Sequence, residues 1–424
     1  MVKMIKFKGD FSELFSRREE FGESVSEVVA KIIADVKERG DAALMEYAQK
    51  FDGVVLKSLE VDKEEIEEAV AAADPRFLNT LTLAKANIEK FHRRQRPKGF
   101  KVRYGNGVVL GERVSAVKRA GIYVPGGTAA YPSTVLMNAV PAAVAGVEEI
   151  IMITPPGKDG KVNPNILAAA KIAGVSRVFK SGGAQGIAAL AYGSESVPAV
   201  DVITGPGNAY VAEAKRQVFG KVGIDMVAGP SEILIIADGE QNPEFIAADM
   251  LAQAEHDTLA SAAVVTGSEL LAEKIAAALE RRLSLLDREN IARNSIENFG
   301  RIIIVPSLDE ALKIAEYAAP EHLELLVKSP RELLSKLKNA GSVFLGEFSP
   351  EAVGDYFAGA NHTLPTSGSA RFSSPLSVRS FTKRTQYIRY TRRALKKYGE
   401  GIADFAVREG LTGHAESVKV RLKG

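Results

Sequence analysis

The chain contains no cysteine. Disulfides, thiolate metal ligands and a thiol nucleophile are thereby excluded together, and the composition fits a reducing cytosol. Long apolar runs are missing too. The most apolar region, Val135 to Thr154, is broken by Asn138, Pro141 and the Glu148–Glu149 pair. It falls short of the roughly 18 uninterrupted apolar residues of a membrane-spanning helix. The opening MVKMIKFKGDF has lysines but no apolar core behind them, unlike a secretory signal. The dinucleotide fingerprint G-x-G-x-x-G is absent as well. Histidine is scarce, at five residues, so where each one falls is informative.

What remains is ordinary for a globular protein: 46% hydrophobic and 25% charged residues over 424 positions. That length fits two to three domains. The net charge of +2 is unevenly placed. From Arg371 onward thirteen Lys and Arg stand against four Asp and Glu, a net of +9, while residues 1–370 hold 42 against 49, a net of −7. A basic tail can mean nucleic acid. Its periodic apolar residues favour instead a segment that packs on the acidic body of its own or a partner chain.

The first hundred or so residues read as helical. Ser24-x-x-Glu27 spells a capping box ahead of Val25, Val28, Val29, Ile32, Ile33 and Val36. Gly40 ends that helix, Asp62-x-x-Glu65 opens another, and Asp74–Pro75 punctuates the approach to a third ending near His92. Val108 to Val117 reads as a hairpin or bent strand. From Ala120 short apolar strands alternate with helices: strands at Gly121–Val124, Ile150–Thr154, Arg177–Lys180, Val200–Thr204 and Ile233–Ala237, with helices at Asn163–Ala173 and Asn208–Phe219. A second set has strands near Ser261–Thr266, Arg301–Val305, Leu323–Val327 and Ser342–Leu345. The alternation predicts an α/β fold with two parallel, doubly wound sheets. After Ser374–Pro375 the chain turns basic and mainly helical.

Three glycine-rich turns follow predicted strands: Pro125–Gly126–Gly127, Ser181–Gly182–Gly183–Ala184–Gln185 and Gly205–Pro206–Gly207–Asn208. Each opens into an apparent helix, where backbone N–H groups favour phosphate. Gln253 and His256, in LAQAEHD, share one helix face, and an amide oxygen with an imidazole can hold a divalent metal; Glu255 and Asp257 are candidates for outer-shell groups. In APEHLEL, Glu321 and His322 stand at a strand entry that Pro320 makes irregular, so both can line one cleft; a histidine there suits proton transfer near neutral pH. Asp355 follows a glycine, Asn361–His362 lies in a Gly/Ser/Pro-rich loop, and Glu409 and His414 flank two glycines in EGLTGH. Singly, each pattern also reads as a cap, a solvated loop or a buried ion pair. Four of five histidines beside acids or amides favour a metal; His92, in an amphipathic helix, reads as structural.

The segments GIYVPGG, STVLMNAVPA, SGGAQ, GPGNAYV, AGPSEIL, QAEHD, PEHLEL, GDYFAG and EGLTGH, in this order, resemble the histidinol dehydrogenase family along nearly the whole chain. The resemblance implies two incomplete Rossmann-like domains with parallel-rich sheets and small helical terminal segments. It divides the chain into 1–25 (N-terminal helical), 26–121 with 232–376 (metal and catalytic residues), 122–231 (the NAD side) and 377–424 (a C-terminal module reaching the partner). It implies oxidation of L-histidinol through L-histidinal to L-histidine, using two NAD and one zinc ion per subunit, in a cytoplasmic homodimer that binds neither nucleic acid nor membrane. The metal ligands would be Gln253, His256 and Asp355, with His414 from the other subunit. His322 would be the base and Glu321 would activate water. Ser231, His362 and Glu409 would join them around the substrate, and Tyr123, Gln185 and Asn208 would contact NAD. Without cysteine no thiohemiacetal can form, so a hydrated aldehyde is the simplest intermediate. Two other classes remain open: a metallohydrolase with Glu321 as base, needing no NAD, and a nucleic-acid-binding protein using the basic tail.

Overall fold

The computed structural model describes residues 1–11, 14, 23–126 and 130–423. The chain forms two compact units, Met1–Gln95 with Lys118–Phe381, and Arg96–Val117 with Thr382–Gly424.

The strands are β1 (Lys3–Lys6), β2 (Phe100–Arg103), β3 (Val109–Ala116), β4 (Arg119–Tyr123), β5 (Glu149–Thr154), β6 (Arg177–Lys180) and β7 (Val202–Thr204). They continue as β8 (Gly223–Ile224), β9 (Glu232–Ala237), β10 (Ser261–Thr266), β11 (Arg301–Ile304), β12 (His322–Leu326), β13 (Ser342–Leu345) and β14 (Thr382–Arg389). The larger unit holds two all-parallel sheets, ordered β6-β5-β4-β7-β8 and β1-β11-β10-β9-β12-β13. Leaving out the edge strand β1, both run third-second-first-fourth-fifth in chain order. The doubly wound expectation is met.

Strands covered on both faces read as near-continuous Val/Ile runs, and β9 and β10 show why. Ile233, Ile235, Val264 and Ile302 pack on one face with Ile246, Met250, Leu271 and Ile275; Leu234, Ile236, Val265 and Ile303 pack on the other with Ile314 and Leu323. Such alternation at a period of two sends neighbours to opposite faces. Fully burying one of these side chains stabilises by about 1.5–3 kcal/mol.

The helices of residues 23–47 lie over the five-stranded sheet, while the Pro75–Arg93 helix also meets the 232–376 segment, where the Asn87 amide donates to the Phe357 carbonyl at 2.9 Å. Val29, Ile32, Ile33, Val36 and Leu44 share one core with Ile151, Ile153, Phe179, Ile187 and Leu190. An amphipathic face fixes that a helix packs, not on which sheet. Asp62 caps its helix by accepting from the Glu65 N–H at 2.7 Å, as its motif predicts. Ser24, by contrast, lies inside a helix already formed at Glu23, so its capping box is not the start. Residues 3–6, within the expected helical segment, form β1 on the edge of the larger sheet.

In the smaller unit β14 and β2 flank β3, both antiparallel to it. The tail therefore opens with a strand before its two helices, Arg392–Arg408 and Thr412–Lys423. Thr391 caps the first of these by accepting from the Ala394 N–H, and its hydroxyl donates to the Asn106 carbonyl. That helix leaves Tyr398, Ile402 and Phe405 exposed along one face. Among the described residues no helix is long and apolar enough to cross a membrane.

Candidate active site

The amino ends of β9 and β12 lie side by side, His322 opposite Ile233. The chain enters β12 through Ala319, a non-glycine residue at φ 46°. For alanine the left-handed region costs about 1–2 kcal/mol, and the turn it makes delivers Pro320, Glu321 and His322 to this edge. Glu321 is then pinned. Its carboxylate accepts the Glu232 N–H at 3.0 Å and its carbonyl accepts the Ser342 N–H at 2.9 Å.

His322 is almost wholly buried. Its Nδ1 lies 3.3 Å from the Glu232 carbonyl, which fits an Nδ1–H donating there. The Glu351 carboxylate is 3.7 Å from the same nitrogen, and Asp355 is 3.8 Å from Nε2. Burial alone would lower the imidazole's pKa, but Glu351, Glu321 and Asp355 outweigh it and raise it well above its usual value. Burial pushes Glu321 up to about 7 and Glu351 up to about 8. Behind them burial and the neighbouring Asp249 push Glu324 up to about 9. Burial works against Asp355 too, yet the imidazoles of His322, His362 and His256 hold its carboxyl below the usual range.

Gln253 lies in the last turn of the Pro243–Ala254 helix and is fully buried. With its amide nitrogen turned to Glu351 it donates to both carboxylate oxygens, at 3.0 and 3.1 Å. His256 follows just past the helix end. One ligand atom each from His256, Glu351 and Asp355 lie within 4.8 Å of one another. Several carboxylates crowded into a poorly solvated place need a compensating cation, and an N/O donor set of this kind suits zinc. The residues present fit such an ion.

The structure therefore gathers Gln253, His256, Glu321, His322 and Asp355 at one sheet edge. Ser231 is there too, immediately before β9, its carbonyl accepting from the Ser261 N–H. His362 joins them through a 3.1 Å contact with the Asp355 carbonyl, and Thr134 lies 3.4 Å away on its other side. Asp257 is exposed and caps its own turn through the Leu259 N–H, away from any outer-shell role. Glu409 and His414 lie exposed in the smaller unit, at the end of one helix and within the next. Reading by motif passed over Glu351, Glu324 and Asp249. Glu351 stands four residues before Asp355, hence on the same face of a helical turn; Glu324, fully buried, breaks the apolar run of Leu323, Leu325 and Leu326, which was the available signal.

The residues expected to meet NAD sit at the carboxyl edge of the five-stranded sheet. Tyr123 ends β4, and its buried hydroxyl accepts the Gly183 N–H at 3.1 Å. Gln185 is buried in the first turn of the helix that starts there. Asn208 caps the Ala209–Val218 helix, accepting from the Tyr210 and Val211 N–H groups. Both glycine turns thus meet a helix N-terminus; in the third, Gly127 lies outside the described residues.

The sequence model of one family, described as histidinol dehydrogenase, matches residues 15–422. A histidinol dehydrogenase of Clostridium acetobutylicum is 52% identical over 413 residues, 97% of this chain and 96% of that protein. One from Geobacter sulfurreducens is 50% identical over 100% of this chain and 99% of its own length. The crystal structure of histidinol dehydrogenase from Elizabethkingia anophelis superposes with a TM-score of 0.94 at 37% identity, covering 100% of this chain and 98% of that one.

Proposed function

The chain belongs to the histidinol dehydrogenase family, and from that membership we propose that it is an NAD-dependent oxidoreductase converting L-histidinol through L-histidinal to L-histidine. We propose further that zinc is required, that both oxidations use one site, and that the enzyme works as a cytoplasmic homodimer in histidine biosynthesis. The observation that carries the reading is the meeting of Gln253, His256, Glu321, His322 and Asp355 at one buried edge.

When bound, zinc would supply a fixed positive charge to orient the substrate, and NAD would supply the hydride acceptor. His256, Asp355 and the Gln253 amide oxygen would hold the zinc from this chain. Glu351 takes the Gln253 amide hydrogens, which leaves the amide oxygen to face elsewhere. His322, steadied at Nδ1 by the Glu232 carbonyl, receives the hydroxyl proton at Nε2 in its neutral form as hydride leaves, and the carboxylates that raise its pKa make that form a stronger base. Glu321, held near neutral pKa by burial, removes a proton from the water that hydrates the aldehyde. His322 returns its proton to the aldehyde oxygen as the water adds, and then takes a hydroxyl proton from the hydrate as the second hydride leaves.

His414 and Glu409 are proposed to complete the site of a partner chain. The exposed apolar face of Tyr398, Ile402 and Phe405 supports a partner there. Asp355→Ala and His414→Ala chains, each inactive alone, should recover about a quarter of wild-type activity when refolded together, because half the dimers are mixed and each mixed dimer keeps one intact site. No recovery in a mixture containing heterodimers would refute sharing. The function itself is tested by mixing protein, L-histidinol, NAD and zinc. Two NADH should form per histidine; turnover of a substrate without NADH would favour a hydrolase.

A further inference from the structure

We infer that the buried Lys215–Asp225 ion pair is a positioning device for the Gly205–Asn208 turn and, through it, for the dinucleotide; the inference rests on the NAD reading above. β7 ends at Thr204, and the chain leaves it through Gly205 at φ 113°, where a Cβ would overlap the Tyr123 carbonyl oxygen. Lys215, nearly two turns into the helix that the turn opens, reaches back beneath it. Its Nζ donates to the Gly205 carbonyl at 3.0 Å and pairs with Asp225. The Asp225 carboxylate accepts the Gly205 N–H at 2.8 Å and the Met226 N–H at 2.6 Å. Both polar groups of Gly205 are thus taken by the two members of one pair.

The side chains of Lys215 and Asp225 are 2% and 1% exposed. Neither can meet a phosphate directly, and the two charges cancel at a distance. Nor is net stability a sufficient reason for the pair. Apolar residues of similar volume commonly stabilise a fold as well as a buried ion pair does. What apolar residues cannot do is fix the direction of a peptide N–H and C=O. The pair does so at a residue that has no side chain to hold it, and thereby sets where Pro206, Gly207 and the Asn208 cap begin the helix. Among the described residues the neighbouring turn is held by a neutral tie, its Gly183 N–H donating to the Tyr123 hydroxyl.

The test compares Asp225→Asn, which keeps an acceptor but no charge, with the double variant Lys215→Met/Asp225→Asn, which leaves no unpaired charge. Calorimetry gives the Kd of NAD and of L-histidinol with zinc, and steady-state assays give both KM values and kcat. The Kd and KM for NAD should rise about tenfold or more in the double variant, since displacements of about 1 Å can cost up to 10²-fold. L-Histidinol binding and kcat at saturating NAD should stay within about threefold. An unchanged NAD affinity would overturn the inference. So would an equal loss for both ligands, or failure of both variants to fold, because the pair would then serve the fold at large. A wild-type protein that binds no NAD would sink the underlying reading instead, and the inference with it.

Discussion

The two parallel sheets of the larger unit share a strand order, yet their polar residues gather at opposite edges. In the five-stranded sheet Tyr123, Gln185 and Asn208 stand at the carboxyl edge, the usual ligand side of a doubly wound sheet. In the six-stranded sheet Glu321, His322 and Ser231 stand at the amino edge. Helix polarity explains the difference. At the carboxyl edge the helices present their N-termini, whose N–H groups and partial positive charge favour a phosphate. At the amino edge the Pro243–Ala254 helix presents its C-terminus, and its partial negative charge adds to Glu351 and Asp355 in favouring a cation. One topology thus offers an anion edge and a cation edge. The helix starting at Pro132 joins them, since it follows β4 and its Thr134 and Met137 touch His362 and Asn361.

This division can be broken in stages. The largest effect is expected from removing the cation. Chelation should abolish turnover, and Zn²⁺, Co²⁺ or Mn²⁺ should restore it; full activity of a verified metal-free protein would end the metal reading. Next comes His322→Ala. Loss of a general acid–base group costs about 10²–10⁴-fold in kcat, and NAD affinity should barely move, because the defect sits at the other edge. A drop below tenfold, measured by stopped-flow NADH formation, would return His322 to a structural role. Smaller still is Glu351→Gln. Groups that orient metal ligands contribute about 10–100-fold in metal affinity, so competition with a chromophoric chelator should show zinc held that much more weakly. Unchanged zinc affinity would detach Glu351 from Gln253.

The sequence carried much of this. Arg177–Lys180, Ser261–Thr266 and Ser342–Leu345 were legible to the residue, because buried parallel strands are short apolar runs bounded by turns. The helix starts at Asn163 and Asn208 were legible too, and in the structure both residues cap the helices they open. β1 was not. Lys3–Lys6 is short and half of it is lysine, and the strand it pairs with, β11, lies about 300 residues away in the chain. The sheet that receives the Val29–Val36 face was equally hidden, because one apolar face fits either. Glu351 escaped for a related reason. A glutamate after proline looks like an ordinary helix start until the fold brings Gln253 and His322 to it.

Paired titrations show whether the two edges are separate sites. Zinc and NAD would be titrated calorimetrically, each by itself, into the wild type, Asp355→Ala and Asn208→Ala. Asp355→Ala should lose zinc affinity by about tenfold or more while its Kd for NAD stays within about twofold of wild type. Asn208→Ala should show the reverse pattern, weakened for NAD and intact for zinc. If both variants lost the same ligand, or if Asp355→Ala lost NAD as fully as zinc, the two edges would not be separate sites and the account would fail.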